Sequence, residues 1–381
     1  MDAQRPELGT KKQPKSAASD FLSTFGGRLG AFTMEGNPSD PGENCIRTYN
    51  LCVIGFGNVG KAFVELLERK KQELSGRYGV ACRITGVASR RLGWLVATDG
   101  FDSGKVLAGD FSQAEQVSDI RDWLRVAGAD AVFETSSLNA ATGRPAIDYL
   151  RTALEMGAHA ISANKGPVVY AYRELSELAS IMRRRFLFES AVMDGVPIFS
   201  LFREAMPAVE IRGFRGVLNS TTNVILEGME GGLTFDDAVK KAQELGVAES
   251  DPSDDIDGVD AAVKVVALAN VLMNAELKLS DVQRYGIRDI SSHHLRHARD
   301  IGQVWKLVCS ANREPDGGVV AHVRPEHLKP DDPLAQVHGT SSVISFETDI
   351  LPQLIITEQD PSLETTAYGL LADFLTAIRS A

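Results

Sequence analysis

The 381-residue sequence lacks the features that mark membrane-spanning proteins and nucleic-acid-binding proteins. It has no run of about 18 apolar residues, which is the length that a membrane-spanning helix needs. It also has no excess of basic residues, because 40 Lys and Arg stand against 51 Asp and Glu and give a net charge of -11. That balance excludes a general nucleic-acid binder. We therefore expect neither a membrane nor a nucleic acid as a partner.

Cysteine is also scarce. The four cysteines, Cys45, Cys52, Cys82 and Cys309, are widely spaced and form no C-x-x-C pair. A zinc site or a disulfide framework needs paired or numerous cysteines, so we expect neither. Reduced thiols in a cytoplasmic enzyme are the simplest interpretation. The apolar share of 44% is enough to bury a globular core.

Residues 1–48 differ from the rest of the chain. They are rich in Lys, Gln, Pro, Ser and Gly and show no strand or long helix pattern. A targeting peptide would need an apolar segment and a small-residue cleavage site, and the early acids Asp2 and Glu7 argue against one. We predict a poorly ordered tail over 1–48.

Apolar runs alternate with helical patterns from residue 49 onward. Residues 49–55 form a nearly continuous apolar run, typical of a strand buried on both faces, and an amphipathic helix follows. Further strands are predicted over 82–89, 130–137, 159–165 and 185–192. Strands that alternate with helices indicate crossover connections, so residues 49–185 are predicted to form a Rossmann-type α/β domain with a mostly parallel sheet.

The pattern changes after about residue 208. A strand-like segment, EIRGFRGVLN, is followed by the helix-like TTNVILEGME. Thr234 then begins a helix that Gly246 ends. These patterns predict a second domain of the α+β class over residues 186–340.

A glycine pattern, G-x-G-x-x-G, lies directly after the first predicted strand and directly before the first helix. In that context Gly55 allows a tight turn, Gly57 lets a pyrophosphate approach the backbone, and Gly60 lets the helix pack closely on the strand. The helix N-terminus adds free N–H groups for the phosphates. A glycine-rich turn without a ligand is the alternative. The predicted cofactor contacts in this turn are Gly55, Phe56, Gly57, Asn58, Val59 and Gly60.

The tip of the second strand indicates which dinucleotide is bound. Enzymes that bind NAD usually carry an Asp or Glu there. This strand ends in Ser89-Arg90-Arg91, which suits a 2′-phosphate because a guanidinium binds phosphate oxygens in pairs. We predict NADP, with NAD as the alternative cofactor if the arginines are merely solvated. Thr135 and Ser136 end the third predicted strand and complete the predicted cofactor site.

Acidic residues crowd the segment 249–260, and an almost wholly apolar helix begins at Val259. Asp260 and Lys264 are the only charges in the first turns of that helix and share one face at i, i+4. A buried lysine beside a carboxylate is either a structural ion pair or a proton-transfer pair, because burial lowers the pKa of a lysine towards neutrality. These residues alone leave both interpretations open.

Two further polar groups lie where ligands commonly bind. Lys165 ends the predicted strand 159–165, and open α/β sheets bind ligands at the carboxyl ends of their strands. The segment NSTTN at 219–223 enters a helix with N–H groups and hydroxyls, as a site for an anion or an amino acid needs.

Five motifs resemble those of the homoserine dehydrogenase family, and the resemblance covers roughly residues 50–310. They are GFGNVG at 55–60, SANKGP at 162–167, ESAVMDGVP at 189–197, GVLNSTTNVIL at 216–226 and AESDPSDDIDGVDAAVK at 248–264. The resemblance implies NAD(P)-dependent interconversion of L-homoserine and L-aspartate 4-semialdehyde, a step of threonine and methionine biosynthesis. It also implies a Rossmann domain joined to an α+β catalytic and dimerisation domain, and hence a homodimer.

The resemblance implies roles for particular residues. Lys264 corresponds to the proton donor to the carbonyl oxygen, and Lys165 to a second catalytic lysine that lies near both nicotinamide and substrate. Thr221 corresponds to a contact with the substrate or the nicotinamide. Three acids are implied to hold the substrate amine and to orient the lysines: Glu249, Asp254 and Asp260.

A monovalent cation such as Na⁺ or K⁺ is implied at a loop that supplies backbone oxygens in some members of the family. The corresponding residues are Glu189, Val192, Asp194 and Val196. The third position is usually Gly in the family, so Asp194 is a departure from the pattern.

The C-terminal segment, 341–381, is implied to return to the nucleotide-binding domain. Relatives often carry a glycine-rich loop of the GxGAG type there, whereas residues 357–367 read TEQDPSLETTA and match only at Thr366-Ala367. The expected protein is a short form without the regulatory domain that many relatives append. The altered loop leaves open a divergent reductase of another small semialdehyde or hydroxy amino acid. A catalytically silent NADP-binding protein is the alternative from a different class.

Overall fold

The computed structural model describes residues 46–379, which form two sheets with helices packed around them. The elements of the first half are, in chain order, β1 (Arg47–Ile54), α1 (Asn58–Tyr78), β2 (Val80–Ser89), β3 (Gly93–Val96), α2 (Ser103–Leu107), β4 (Glu115–Val117), α3 (Ile120–Ala127), β5 (Ala131–Glu134), α4 (Ala146–Glu155), β6 (His159–Ser162), α5 (Lys165–Ile181) and β7 (Phe186–Leu187).

The second half begins with a short helix and ends with a long one. Its elements are α6 (Ile198–Ser200), β8 (Ile211–Val217), α7 (Ser220–Glu230), α8 (Phe235–Glu244), α9 (Ser253–Ile256), α10 (Val259–Leu272), β9 (Gln283–Arg284), α11 (Ser292–Asp300), β10 (Val304–Arg313), β11 (Val319–Leu328), β12 (Ser342–Thr348), β13 (Leu354–Glu358) and α12 (Leu363–Arg379).

The first sheet has the order β4-β3-β2-β1-β5-β6-β7. The five adjacent strands β2, β1, β5, β6 and β7 are parallel to one another. Strands β3 and β4 extend one edge of the sheet and are antiparallel to their neighbours. Because β1 lies between β2 and β5, the turn after β1 opens at the point where the strand order reverses, which is where such sheets bind ligands. The predicted mostly parallel Rossmann-type sheet is confirmed.

The second sheet has the order β13-β12-β8-β10-β11-β9, and its neighbours are antiparallel except for β9 and β11. The apolar helix α10 packs against this sheet and against α5, with buried residues along most of its length. This is the α+β part of the predicted fold class. A mostly apolar helix is stable here because the sheet and α5 bury most of its apolar residues.

The predicted domain limits differ from the arrangement of the strands in two places. Strand β7 belongs to the first sheet, since Phe186 and Leu187 pair with Ala160 and Ile161, so that sheet extends past residue 185. Strands β12 and β13 belong to the second sheet, so the segment from 341 does not return to the nucleotide-binding part as a whole. Only α12 packs there, against α1, with Phe374 fully buried among the side chains of that core.

The predicted strand over 185–192 is shorter than expected. Only Phe186–Leu187 is extended, and a 3-10 turn over Glu189–Ala191 follows. The apolar character of this segment reflects burial and not strand pairing, and sequence periodicity does not distinguish the two in so short a run.

The predicted tail over 1–48 lies outside the described residues except at its end. There, Arg47 and Thr48 already belong to β1 and pair with Val80 and Ala81 of β2. Within residues 46–379, no helix is both long and apolar enough to cross a membrane.

Candidate active site

The turn after β1 has the geometry that a dinucleotide-binding loop needs. Gly55 has a φ of +89°, and a Cβ on it would lie 2.4 Å from the backbone nitrogen of Ser136, so only glycine fits. A Cβ on Gly60 would approach the Gly55 carbonyl oxygen to 3.1 Å, which shows how closely α1 packs on the turn. Gly57 has no side chain to cap the helix, so the first N–H groups of α1 are available to an anion.

A cavity of about 1030 Å³ opens beside this turn. Its walls come from the three segments that the sequence predicts as cofactor contacts, joined by the loop before α4 and by two aromatic side chains. The predicted residues that line it are Gly55, Phe56, Gly57, Ser89, Arg90, Arg91, Thr135 and Ser136, and the additional aromatic residues are Trp94 and Tyr149. Asn58 begins α1, and Val59 lines a second, smaller cavity.

The arginines at the end of β2 are placed to receive a charged group. Arg90 and Arg91 are both exposed and line the cavity. Within residues 46–379, neither forms a salt bridge with an acidic side chain. Ser89 is occupied locally, since its Oγ accepts a hydrogen bond of 3.1 Å from Leu92 N. The two guanidiniums are therefore free to bind an anionic group of a cofactor.

A second cavity, of about 210 Å³, lies between the ends of the first sheet and α10. Thr135 and Ser136 line both cavities, so the two share a wall. The smaller cavity also exposes Lys165 and Lys264, which come from opposite halves of the chain. The fold thus brings the two predicted catalytic lysines to one space beside the predicted cofactor site.

Asp260 joins the two lysines. Lys165 Nζ lies 3.1 Å from Asp260 Oδ1, and Lys264 Nζ lies 3.8 Å from Asp260 Oδ2. Lys264 Nζ also donates a hydrogen bond of 2.5 Å to the Leu218 carbonyl oxygen. All three side chains are about one-fifth exposed or less, so these charges interact in a medium with little water.

The charges of this cluster support one another. Burial opposes the ionised form of Asp260, but Lys165 and Lys264 outweigh burial and hold the pKa of that carboxyl well below its usual range. Burial likewise opposes the ammonium of Lys165, and Asp260 outweighs it and raises the pKa of that lysine. Asp260 is therefore a carboxylate and Lys165 an ammonium at neutral pH.

The turn between β8 and α7 orients the acids. Asn219 caps α7 by accepting a hydrogen bond of 2.9 Å from Thr222 N on its Oδ1. Its Nδ2 donates to Asp255 Oδ1 at 2.7 Å and to Asp260 Oδ2 at 3.3 Å. One amide side chain therefore closes the helix and holds two carboxylates.

Asp255, and not the predicted Asp254, faces this site. Asp254 is exposed, whereas Asp255 is partly buried and bonded to Asn219. Burial raises the pKa of Asp255, and its hydrogen bonds with Asn219 and Thr221 lower it. The two acids are neighbours in the short helix α9, where successive side chains point about 100° apart, so only one can face the site. The sequence does not reveal the phase of so short a helix.

The remaining predicted substrate residues lie at different depths. Thr221 is buried, and its hydroxyl donates a hydrogen bond of 3.2 Å to the Val247 carbonyl oxygen. Glu249 is exposed, and its backbone carbonyl accepts from Gln243 Nε2 at 3.1 Å. The structure therefore brings Thr221 into contact with the acidic cluster through Asp255 but leaves the Glu249 side chain at the surface.

The loop predicted to hold a monovalent cation is covered by α12. The Glu189 carboxylate accepts hydrogen bonds from Phe199 N at 2.6 Å and Ser200 N at 2.8 Å, so it caps the next helix. Asp194 has a φ of +43°, and its carboxylate accepts a hydrogen bond from the Thr366 hydroxyl of α12. Of the other two predicted loop residues, Val192 is buried and lines the smaller cavity, and Val196 N donates to the Met193 carbonyl oxygen at 2.9 Å.

Among residues 46–379, no group of three or more His, Cys, Asp or Glu side chains is arranged to hold a metal ion. The three described cysteines, Cys52, Cys82 and Cys309, are free thiols.

Comparison with known proteins agrees with this arrangement. The family model described as "Homoserine dehydrogenase, NAD binding domain" matches residues 55–189, and the model described as "Homoserine dehydrogenase" matches residues 197–375. The NAD(+)-dependent homoserine dehydrogenase of Pseudomonas canavaninivorans is 36% identical over 341 residues, which cover 87% of this chain and 97% of the relative. The chain belongs to the homoserine dehydrogenase family.

Solved structures show the same relationship. A homoserine dehydrogenase from Thiobacillus denitrificans is 27% identical with a TM-score of 0.76, covering 87% of this chain and 74% of that one. A hyperthermophilic archaeal homoserine dehydrogenase mutant in complex with NADPH is also 27% identical, with a TM-score of 0.74 and coverage of 88% and 99%. As a member of this family, the protein is an NAD(P)-dependent oxidoreductase.

Proposed function

We propose that this homoserine dehydrogenase interconverts L-homoserine and L-aspartate 4-semialdehyde in the smaller cavity, with NADP as the preferred cofactor. The observation that carries the proposal is the shared wall at Thr135 and Ser136, which sets the larger cavity directly against the space that Lys165 and Lys264 enter. Hydride transfer requires such contact between a cofactor site and a substrate site.

Lys165 and Lys264 have different roles in this proposal. Reduction of an aldehyde builds negative charge on the carbonyl oxygen, which a donated proton or a nearby cation must stabilise. Lys165 is bonded directly to Asp260 and has a raised pKa, so it suits electrostatic stabilisation more than proton release. Lys264 contacts Asp260 more loosely, at 3.8 Å, and is the better proton donor. In the reverse direction Lys264 takes up the hydroxyl proton.

The substrate's ammonium group needs a carboxylate partner. We assign this role to Asp255 of α9, which is bonded to Asn219 at the β8–α7 turn next to Asp260, with the Thr221 hydroxyl beside it. Glu249 lies at the surface and would act from the rim of the site. Asp254, which is exposed and separate from the cluster, has no part in this proposal.

The cofactor site fits a dinucleotide phosphate, because a Cβ on Gly55 would collide with Ser136 and the first N–H groups of α1 are open. A bound nicotinamide accepts or supplies the hydride. The free guanidiniums of Arg90 and Arg91 and the absence of an acid at the end of β2 favour a 2′-phosphate, hence NADP. The Pseudomonas relative, by its name, uses NAD(+), so the same fold accepts the other cofactor.

The test is steady-state kinetics on the purified chain with L-homoserine and, separately, L-aspartate 4-semialdehyde, each with both cofactors. We expect turnover of both substrates and a lower KM for NADPH than for NADH. Activity with other small semialdehydes but not with these substrates would identify a divergent reductase. No turnover of any of them would contradict the proposal.

We further propose a monovalent cation at the loop of Glu189, Val192, Asp194 and Val196. The Glu189 carboxylate is occupied by Phe199 N and Ser200 N, so backbone oxygens, with the Asp194 charge nearby, would bind the ion. The chloride salts of Na⁺, K⁺ and choline at equal ionic strength should give different melting temperatures. Equal melting temperatures in all three would contradict a cation site.

A homodimer and a cytoplasmic location complete the proposal. Strand β13 is an edge of the second sheet, and the apolar side chains of Ile350, Leu351 and Ile355 are exposed at and before it. Such an edge is a natural site for pairing with a second copy. The free thiols of Cys52, Cys82 and Cys309 support a reducing compartment. Light scattering after size exclusion measures the oligomeric state.

A further inference from the structure

Beneath the shared wall of the two cavities lies a carboxylate that the proposed mechanism does not use. Glu134 is the last residue of β5 and is completely buried. It pairs across the parallel sheet with Ser162, the last residue of β6. Both residues therefore stand at the strand ends from which the active-site loops begin.

Glu134 receives hydrogen bonds from both of these strand ends. On one side its Oε1 accepts from Ser136 N at 2.9 Å and from the Ser136 hydroxyl. On the other side its Oε2 accepts from the Ser162 hydroxyl at 3.2 Å. Ser136 N can only donate, so it favours the ionised carboxylate, and a proton on Oε1 would displace it, whereas the two hydroxyls can donate or accept.

A second set of hydrogen bonds connects the same groups to the turn that carries Lys165. Asn164 N donates to Ser162 Oγ at 3.0 Å, and Asn164 Nδ2 donates to the Ser136 carbonyl oxygen at 3.2 Å. Asn164 Oδ1 accepts from Gly166 N at 2.9 Å and caps α5, whose first residue is Lys165. The bonds close a ring through Glu134, Ser136, Asn164 and Ser162.

The charge of Glu134 is held by these hydrogen bonds without a cationic partner. Within residues 46–379 no lysine, arginine or histidine forms a salt bridge with it. Among the described residues, Tyr149 of α4 interacts with it electrostatically: burial and then the charge of Glu134 raise the pKa of Tyr149. Burial raises the pKa of Glu134 to about 7, against the opposing effect of the bonds from Ser136, Ser162 and Asn164.

We propose that Glu134 is a positioning residue that holds Ser136, in the wall of the cofactor cavity, and the Asn164–Lys165 turn in a single geometry. The inference rests on the proposed function, because it needs Ser136 and Lys165 to face nicotinamide and substrate. Glu134 itself contacts neither the nicotinamide nor the substrate in this proposal. Protonation of Glu134 weakens the hydrogen bonds that hold Ser136 and the Asn164–Lys165 turn, so cofactor binding and turnover decline on the acid side of neutrality.

The first experiment compares Glu134→Gln with the wild-type enzyme across pH 5.5–9. Loss of a charged acceptor in this ring should lower kcat/KM about tenfold or more at pH 8. The wild-type enzyme should lose kcat/KM as the pH falls through about 7, and the variant should be flat over that range because Gln does not titrate. We call the decline of kcat/KM at falling pH the acid limb of the profile. A variant with near-normal kcat/KM and the same acid limb as the wild-type enzyme would overturn the inference.

Ser162→Ala gives a directional test that remains informative if Glu134→Gln does not fold. It removes one donor to the carboxylate and keeps the charge, so the pKa of Glu134 should rise. The acid limb of kcat/KM should then move to higher pH. A merely structural role would lower activity or stability without moving the limb, and that result would count against the inference.

Ser310→Ala serves as the matched control, since Ser310 is a buried serine in the second sheet. It should leave the limb where the wild-type enzyme has it. The proposed function is tested separately by the wild-type enzyme: absence of turnover with homoserine refutes that function. Normal turnover combined with an unmoved limb in Glu134→Gln and Ser162→Ala refutes only the role of Glu134.

Discussion

Lys165 and Asp260 meet at 3.1 Å although they stand at the beginnings of helices from different parts of the fold. Lys165 is the first residue of α5, which connects β6 to β7 of the first sheet, and Asp260 lies in the first turn of α10, which packs on the second sheet. This contact joins the cofactor side of the site to the substrate side. A carboxylate that pairs with a lysine from each side can align both ammonium groups on one reacting oxygen.

Asp260→Asn tests whether that carboxylate orients the lysines or mainly stabilises the fold. Since Asp260 raises the pKa of Lys165, the amide should lower it, and the basic limb of the pH–rate profile should move to lower pH. Turnover should fall less than in a variant that lacks Lys264. Breaking a buried ion pair typically costs about 3–5 kcal/mol, so urea unfolding must accompany the kinetics. A variant that only unfolds would favour the structural role, and Asp254→Asn, an exposed acid nearby, is the control.

Lys264→Ala tests the proton donor. Turnover should fall by about a hundredfold to ten-thousandfold, the range that a positioned general acid contributes. NADPH affinity should hardly change, because α10 contributes no residue to the walls of the larger cavity. Steady-state kinetics and cofactor titration on the folded variant measure the two effects, with the exposed Lys278→Ala as the control. Near-normal turnover without Lys264 would remove it from the mechanism.

Much of this site is predictable from the sequence because its signals are local. The glycine turn, the paired arginines after β2 and the Asp260–Lys264 spacing each lie within one short segment whose geometry is standard. The contact between Lys165 and Asp260 is different, since it depends on how α10 packs against α5. Only the resemblance to a known family indicated that these two residues share a site.

The differences between the expectations and the structure have a common origin in short elements. Asp254 and Asp255 differ by a single position in the four-residue helix α9, and no periodic pattern fixes which one turns inward. The two-residue strand β7 and the edge strands β3 and β4 are likewise too short to show a period. The role of Glu134 is not predictable from the sequence for another reason. An acid at the end of an apolar strand looks like the beginning of a solvated loop.

Cofactor preference is tested by Arg90→Ala and Arg91→Ala. Removal of a guanidinium that binds the 2′-phosphate should cost about 1.5–3 kcal/mol, or roughly tenfold to over a hundredfold in the KM for NADPH. The KM for NADH should change little, because NADH lacks that phosphate. Arg125→Ala, an exposed arginine in α3, controls for general charge loss. Equal weakening of both cofactors by the arginine variants would show that the 2′-phosphate is not their ligand.

Asp373→Asn should reduce the dependence of stability on pH. Burial, with the nearby Glu189, raises the pKa of Asp373 to about 8. The folded state then holds a proton that the unfolded state has already lost, so Asp373 lowers stability as the pH rises from about 4 to about 8. The variant should show a smaller loss of melting temperature between pH 5 and pH 8. Its amide oxygen can still accept from Glu189 N, which preserves the contact. An unchanged slope would show that Asp373 does not titrate in this range.

The substrate site is tested most directly by the neighbouring acids of α9. Asp255→Asn removes a charge that is bonded to Asn219 at 2.7 Å, and Asp254→Asn removes an equal charge at the surface one residue earlier. If Asp255 holds the substrate's ammonium group, its variant should raise the KM for homoserine by about tenfold or more, the effect of losing a charged hydrogen bond. The KM for NADPH should stay within about twofold, since no residue of α9 is among those that line the larger cavity. Asp254→Asn, which changes the net charge equally, should leave both constants near wild type. A larger rise in the KM for homoserine with Asp254→Asn than with Asp255→Asn would reverse the assignment.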